Sequence, residues 1–180
     1  MSAQAKGIMM LRKRSFGLAS AVCVMALSLF LACSSAKDSA KFAGTAAQGG
    51  MTEVELGRLA LQRAGDPSVR AFGQKMVTDH TAANAELKGV AARKNMTLPG
   101  EMSSDQKSMV EKLSKLSGAE FDKEYMSDMV KDHETDVKDF QTQANDGTDP
   151  EIKSFASKTL PILQGHLQMA RDTANKVGAQ

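Results

Sequence analysis

Residues 66–95, DPSVRAFGQKMVTDHTAANAELKGVAARKN, decide the fold class. Val69, Met76, Ala83 and Val90 recur every seven residues, with Gly73, His80 and Leu87 interleaved, so one apolar seam runs at helical spacing. Asp66 offers an N-cap carboxylate and Pro67 takes the first helical position, where its missing N–H costs nothing. The stretch predicts a helix over 67–95 with His80 pointing inward.

The same signals recur on the C-terminal side. Asp149-Pro150 repeats the capped start, and Ser103 with Gln106 and Ser117 with Glu120 have capping-box spacing. Leu98-Pro99-Gly100 and Asn145-Asp146-Gly147 are stop-and-turn signals. Helices are expected over 51–64, 67–95, 103–116, 118–145 and 150–177. Aromatic residues make up only 4%, and no β-branched run alternates apolar with polar. The expected fold is all-α: long helices of about 40 Å, joined by short turns into an antiparallel, four-helix-like bundle.

The chain has three histidines, each on such a seam. Met126, His133 and Phe140 repeat by seven beside Val130, Val137 and Ala144. Ile152, Thr159, His166 and Thr173 run beside Phe155, Ile162 and Met169. His80, His133 and His166 are the 14th, 16th and 17th residues of their helices, so an up-down packing brings them to one level. Neutral imidazole is a good ligand for Zn, Cu or Fe, and bundle cores are where such sites are built. A hydrogen-bonded polar layer is the competing reading.

Carboxylates accompany the histidines. Adjacent residues are about 100° apart on a helix, so Asp79 and Glu134 are expected to face solvent or to support the site from outside, whereas Asp136 shares the face of His133. Glu53 or Glu55 of the first helix could complete the site. Met76 and Met129 lie four residues before a histidine and Met169 three after one, so thioether sulfur is a candidate soft ligand favouring Cu(I). Core filling is the plainer role for these residues. Pro161 should kink the fifth helix, and with Gly165 it either lets a neighbour approach beside His166 or makes a simple packing bend.

The N-terminus reads as an export segment over residues 1–36. Lys6, Arg12, Lys13 and Arg14 precede an apolar run from Phe16 to Ala32, and the first 32 residues carry no acid. Leu29-Phe30-Leu31-Ala32-Cys33 resembles the lipobox of bacterial lipoproteins, which implies acylation of Cys33 and a lipid anchor to a membrane. Ser34 after the cysteine implies sorting to an outer membrane. Cleavage after Ser34-Ser35-Ala36, leaving a free periplasmic protein, is the alternative. The only other cysteine, Cys23, lies inside the signal, so the folded domain holds no disulfide. Residues 37–50, small and polar, are expected to be a flexible linker to a domain over 51–180. Without the four signal cations, 19 Lys and Arg stand against 21 Asp and Glu, a charge near −2 that recommends no nucleic acid partner.

Residues 52–87, 116–140 and 158–171 (TEVELGRLALQRAGDPSVRAFGQKMVTDHTAANAEL, LSGAEFDKEYMSDMVKDHETDVKDF and KTLPILQGHLQMAR) resemble a ferritin-like family of unknown function, often labelled outer membrane or membrane proteins. The resemblance covers about Ala47 to Asn175. It implies a ferritin-like bundle exported by bacteria, with Glu53, Glu55, Asp79-His80, Asp132-His133 and His166 at the matching positions. The di-iron ferritins use paired Glu-x-x-His motifs, whereas Val77, Val130 and Leu163 stand three residues before these histidines, so carboxylate-bridged oxygen chemistry does not carry over. Three functional expectations remain: a non-catalytic envelope protein whose histidine core binds a transition metal, a metal-dependent oxidase or iron-handling enzyme, and a structural or stress-related bundle.

Overall fold

The helices are α1 (Ala19–Arg63), α2 (Pro67–Arg93), α3 (Ser104–Ser114), α4 (Gly118–Asp146) and α5 (Pro150–Val177). This is a computed structural model, which describes the backbone of residues 19–179 and the side chains of residues 37–179. Residues 1–18 of the export segment, and its side chains up to residue 36 with that of Cys33 among them, therefore lie outside the described residues. Among the described residues there is no strand, only an isolated bridge between Ala64 and Gly118. The all-α bundle expected from the seams is the fold observed.

Two of the predicted caps form as written. Asp66 accepts from the Ser68 amide at 2.7 Å, and Asp149 accepts from the amides of Glu151 and Ile152 at 3.1 Å each. Both arms of the Ser103–Gln106 box are present. Ser117 departs from expectation, because its side chain makes no capping bond. Here Gly118, at φ +61°, turns the chain so that it bridges Ala64. Ion pairs between Lys94 and Asp149 (2.6 Å) and between Lys176 and Asp66 (3.0 Å) join opposite ends of α2 and α5, which fixes them antiparallel. Exposed pairs of this kind contribute little energy, so they report the register rather than hold it.

Residues 35–180 form a unit separate from the chain before them. This unit corrects the expectation of a flexible linker over 37–50, because those residues are helical and packed. Ser39, Ala43 and Ala47, one turn apart, are buried, and Phe42 meets the Phe140 ring edge-on at 4.9 Å. The physical reason is that alanine forms helix well and its small side chain lets a neighbour pack close, so a stretch that looks like a linker by composition can be a core face.

The apolar core falls into two clusters. One holds Leu56, Phe72, Met76, Phe121, Tyr125, Met126 and Met129, and the other Ala43, Leu87, Phe140, Ile152, Phe155 and Leu163. Burying a side chain such as Phe72 or Leu87 contributes about 1.5–3 kcal/mol. One seam residue is misassigned by periodicity: Ile162 is 44% exposed, and Leu160 and Leu163 face the core in its place. Pro161 lies within the continuous α5 on its exposed side, and a Cβ added at Gly165 would meet nothing within 4 Å, so no neighbour approaches there. The close approach is elsewhere. A Cβ on Gly73 would lie 2.7 Å from the Ala60 Cβ and 2.9 Å from the Gly57 carbonyl, so α1 and α2 cross in backbone contact. That crossing carries Glu53, one turn before Gly57, to the level of His80.

Candidate metal centre

All three histidines are buried: His80 is 5% exposed, and His133 and His166 are fully enclosed. They stand on α2, α4 and α5, with ring centroids 6.0 Å (His80–His133), 5.3 Å (His80–His166) and 5.5 Å (His133–His166) apart. One nitrogen from each lies within 4.8 Å of the other two. The shared level inferred from their mid-helix positions is therefore real.

Each imidazole is held by one nitrogen and open at the other. His133 Nδ1 lies 2.9 Å from the Met129 carbonyl, His166 Nε2 lies 2.7 Å from Asp79 Oδ2, and His80 Nδ1 lies 2.8 Å from Glu53 Oε2. The Met129 carbonyl and the Asp79 carboxylate can only accept, so His133 Nδ1 and His166 Nε2 carry the proton, and His80 Nδ1 does so once Glu53 gives up its own proton to a metal. The remaining nitrogens, His133 Nε2, His166 Nδ1 and His80 Nε2, are buried and have no hydrogen-bond partner. Each is then a lone pair facing the interior. An imidazole oriented through one N–H by an oxygen acceptor is the support that metal-ligating histidines receive.

Glu53 is 1% exposed, and its Oε1 also lacks a partner. It lies 3.3 Å from His133 Nε2, without hydrogen-bond geometry. For bonds of about 2.0–2.1 Å, roughly 3.3 Å is the ligand-to-ligand edge of a tetrahedron.

Burial governs the protonation states. It pushes His80 down to about 4, against the opposing pull of Asp132 and Asp79, and it pushes His166 down to about 4 against the hydrogen bond it donates to Asp79. His133 is lowered for the same reason, partly offset by Glu53. The rings are thus neutral, the state a metal needs. Burial raises Glu53 well above the usual carboxylate range, opposed by His133 and assisted by Asp132. Asp79 behaves differently: burial would raise it, but hydrogen bonds from Lys75 and His166 hold it low.

The remaining sequence candidates separate clearly. Glu55 is not at the site, because it is half-exposed and pairs with Arg58 at 3.5 Å on the outer side of α1. Glu134 faces out and pairs with Arg171 at 2.7 Å. Asp136 lies beside Glu53 and Asp132, with one oxygen of each within 4.8 Å of the others. Met76 and Met129 are fully buried in the first apolar cluster and Met169 packs against it, and Met129 serves the site through its carbonyl. The support of His166 by Asp79 fits the expected outer role of that aspartate. Asp132, which the family resemblance places beside His133, meets Glu53 and Asp136 here, whereas the glycine crossing that delivers Glu53 was not singled out from sequence.

Comparison with known proteins places this geometry in context. Residues 31–173 match a family described as a domain of unknown function, DUF4142. No curated protein matches the chain. Among solved structures, a DUF305 fragment from Deinococcus radiodurans is similar with a TM-score of 0.68 at 14% identity, over 77% of this chain and 96% of that one. A DUF305 protein from Streptomyces coelicolor, described as secreted, is similar with a TM-score of 0.67 at 18% identity, over 79% and 94%. At these identities the likeness is one of fold.

Proposed function

The chain belongs to the DUF4142 family, and from that premise we propose that it is an exported bundle whose work is to hold one transition-metal ion on His80, His133 and His166 with Glu53 beside them. The observation that carries this reading is the set of four buried atoms without partners, three imidazole nitrogens and one carboxylate oxygen, gathered in one layer of the core. A self-contained polar layer would satisfy its own members, since each buried orphan costs about 1–3 kcal/mol. A cation that accepts three nitrogen lone pairs and one carboxylate removes all four costs together.

Nitrogen and oxygen donors of this kind suit Zn(II), Cu(II) or Fe(II). The bundle is ferritin-like in placing such a site within its core, although it has no Glu-x-x-His motif. Export is supported by the charged-then-apolar first 32 residues and by the description of the Streptomyces relative as secreted. The lipobox-like run ending at Cys33 supports anchoring on the envelope side of a bacterial membrane. Among the described residues no helix is long and apolar enough to cross one.

Elemental analysis of the protein purified without a His tag, beside the triple variant His80→Ala, His133→Ala, His166→Ala, tests the reading. About one equivalent of metal per chain is expected in the wild type and a near-complete loss in the variant, with circular dichroism confirming that both are helical. Equal metal in the two would overturn it.

A further inference from the structure

We infer that Glu53, Asp132 and Asp136 form a second cation site, for a divalent ion that prefers oxygen ligands, beside the histidine centre and sharing Glu53 with it. It rests on the histidine reading only through that shared residue.

Asp132 and Asp136 stand one turn apart on α4 and face Glu53 on α1, with one oxygen of each within 4.8 Å of the others. Among the described residues neither aspartate has an ion pair with Lys or Arg, in contrast to the carboxylates of the outer surface. Glu53 contributes an unpartnered oxygen, and the fully buried, unpartnered His133 Nε2 points at it from 3.3 Å. Two independent openings meet at Asp136. A small, partly enclosed pocket of about 20 Å³ is lined by Glu53, His80 and Asp136, room for about one water-sized occupant. An open groove of about 230 Å³ on the α1–α4 surface is lined by Asp38, Lys41, Asp136 and Asp139. Asp136 therefore borders both the solvent groove and the small inner pocket.

Three carboxylates crowded into one place repel one another, and a hard divalent ion offsets that repulsion with oxygen ligands already gathered. Imidazole selects a borderline metal and carboxylate a hard one, so the two sites would differ in preference.

The test uses the mature chain loaded with one equivalent of Zn(II), then titrated with Mn(II), with free Mn(II) read by its solution EPR signal. One further equivalent of Mn(II) should bind. The double variant Asp132→Asn, Asp136→Asn should bind it at least tenfold more weakly while keeping its full equivalent of Zn(II), which also shows that it folds. Absence of Mn(II) binding to the Zn-loaded wild type, or unchanged binding in the variant, would overturn the proposal and leave a protonated acidic cluster. If the triple histidine variant kept its Zn(II), the histidine reading would fall instead, and Mn(II) binding lost with the two aspartates would still support this one.

Discussion

Among the described residues two carboxylates are buried, and they are treated in opposite ways. Asp122, 3% exposed on α4, accepts from the Gly65 amide at 3.0 Å and from the Asp66 amide at 2.7 Å, so both oxygens are used on the α1–α2 turn. Glu53, 1% exposed, faces two imidazoles and leaves one oxygen without a partner. The first is a clamp: its charge is offset by backbone donors that have nowhere else to go. The second is kept at a cost that packing does not offset, as the proposed metal site requires. Burial alone does not separate structure from function here, whereas the state of the hydrogen bonds does.

The comparison predicts that the clamp matters most for stability. Asp122→Ala strips the acceptor from two inward-facing amides, at about 1–3 kcal/mol each, so the melting temperature should fall by roughly 5–15 °C for a domain of this size. Metal content per folded chain should stay unchanged. Thermal melts and elemental analysis of the same sample check both parts, and metal lost in step with stability would blur the distinction.

Periodicity exposed the bundle and the level of the histidines, because a seven-residue apolar repeat and a capped start are local signals. His80, His133 and His166 each reveal their inward direction through neighbours one turn away. What joins them is not local. The partners of Asp122 lie 56 and 57 residues back along the chain, and Asp79 meets His166 across 87 residues. Glu53 and Glu55 are two residues apart and looked equivalent in sequence, but only the backbone crossing at Gly57 and Gly73 decides which one faces His80. Residues 37–50 misled for a related reason: alanine and serine signal a linker by composition and a tight helix contact by position.

The unpaired state of Glu53 can be sharpened through protons. Its folded value is raised above the ordinary 4.5, so the folded apo protein holds that proton where an unfolded chain has lost it. The sign follows: this group favours the apo fold at low pH and loses that contribution as pH rises through the raised value. His80 and His166, lowered from 6.5 to about 4, act the other way and cost stability as pH falls through that window. At pH 6 the rings are therefore already mostly neutral, and the proton displaced by a metal comes chiefly from Glu53. Calorimetric titration with Zn(II) in buffers of different ionisation enthalpy should show release of about one proton per metal near pH 6, falling towards zero in alkaline buffer. Glu53→Gln should remove that release and weaken binding by about 10–100-fold. Release that persists in the variant would assign the proton to the histidines.

The smallest effect tests whether an orphaned polar atom always signals function. The Tyr125 hydroxyl is fully buried and has no partner, like the site nitrogens, and burial together with the nearby Glu53 charge pushes its ionisation up. Its ring, however, belongs to the apolar cluster, stacked on Phe121 at 5.3 Å and edge-on to Phe72 at 6.0 Å. That setting makes it a packing residue with a costly tip, and Tyr125→Phe should leave metal stoichiometry unchanged. Removing an unsatisfied buried hydroxyl without changing the ring should stabilise the fold by about 1 kcal/mol, a rise of roughly 2–4 °C in melting temperature. A fall in melting temperature joined to weaker metal binding would place the hydroxyl with Glu53 and the histidines, and the count of atoms kept for the ion would grow by one.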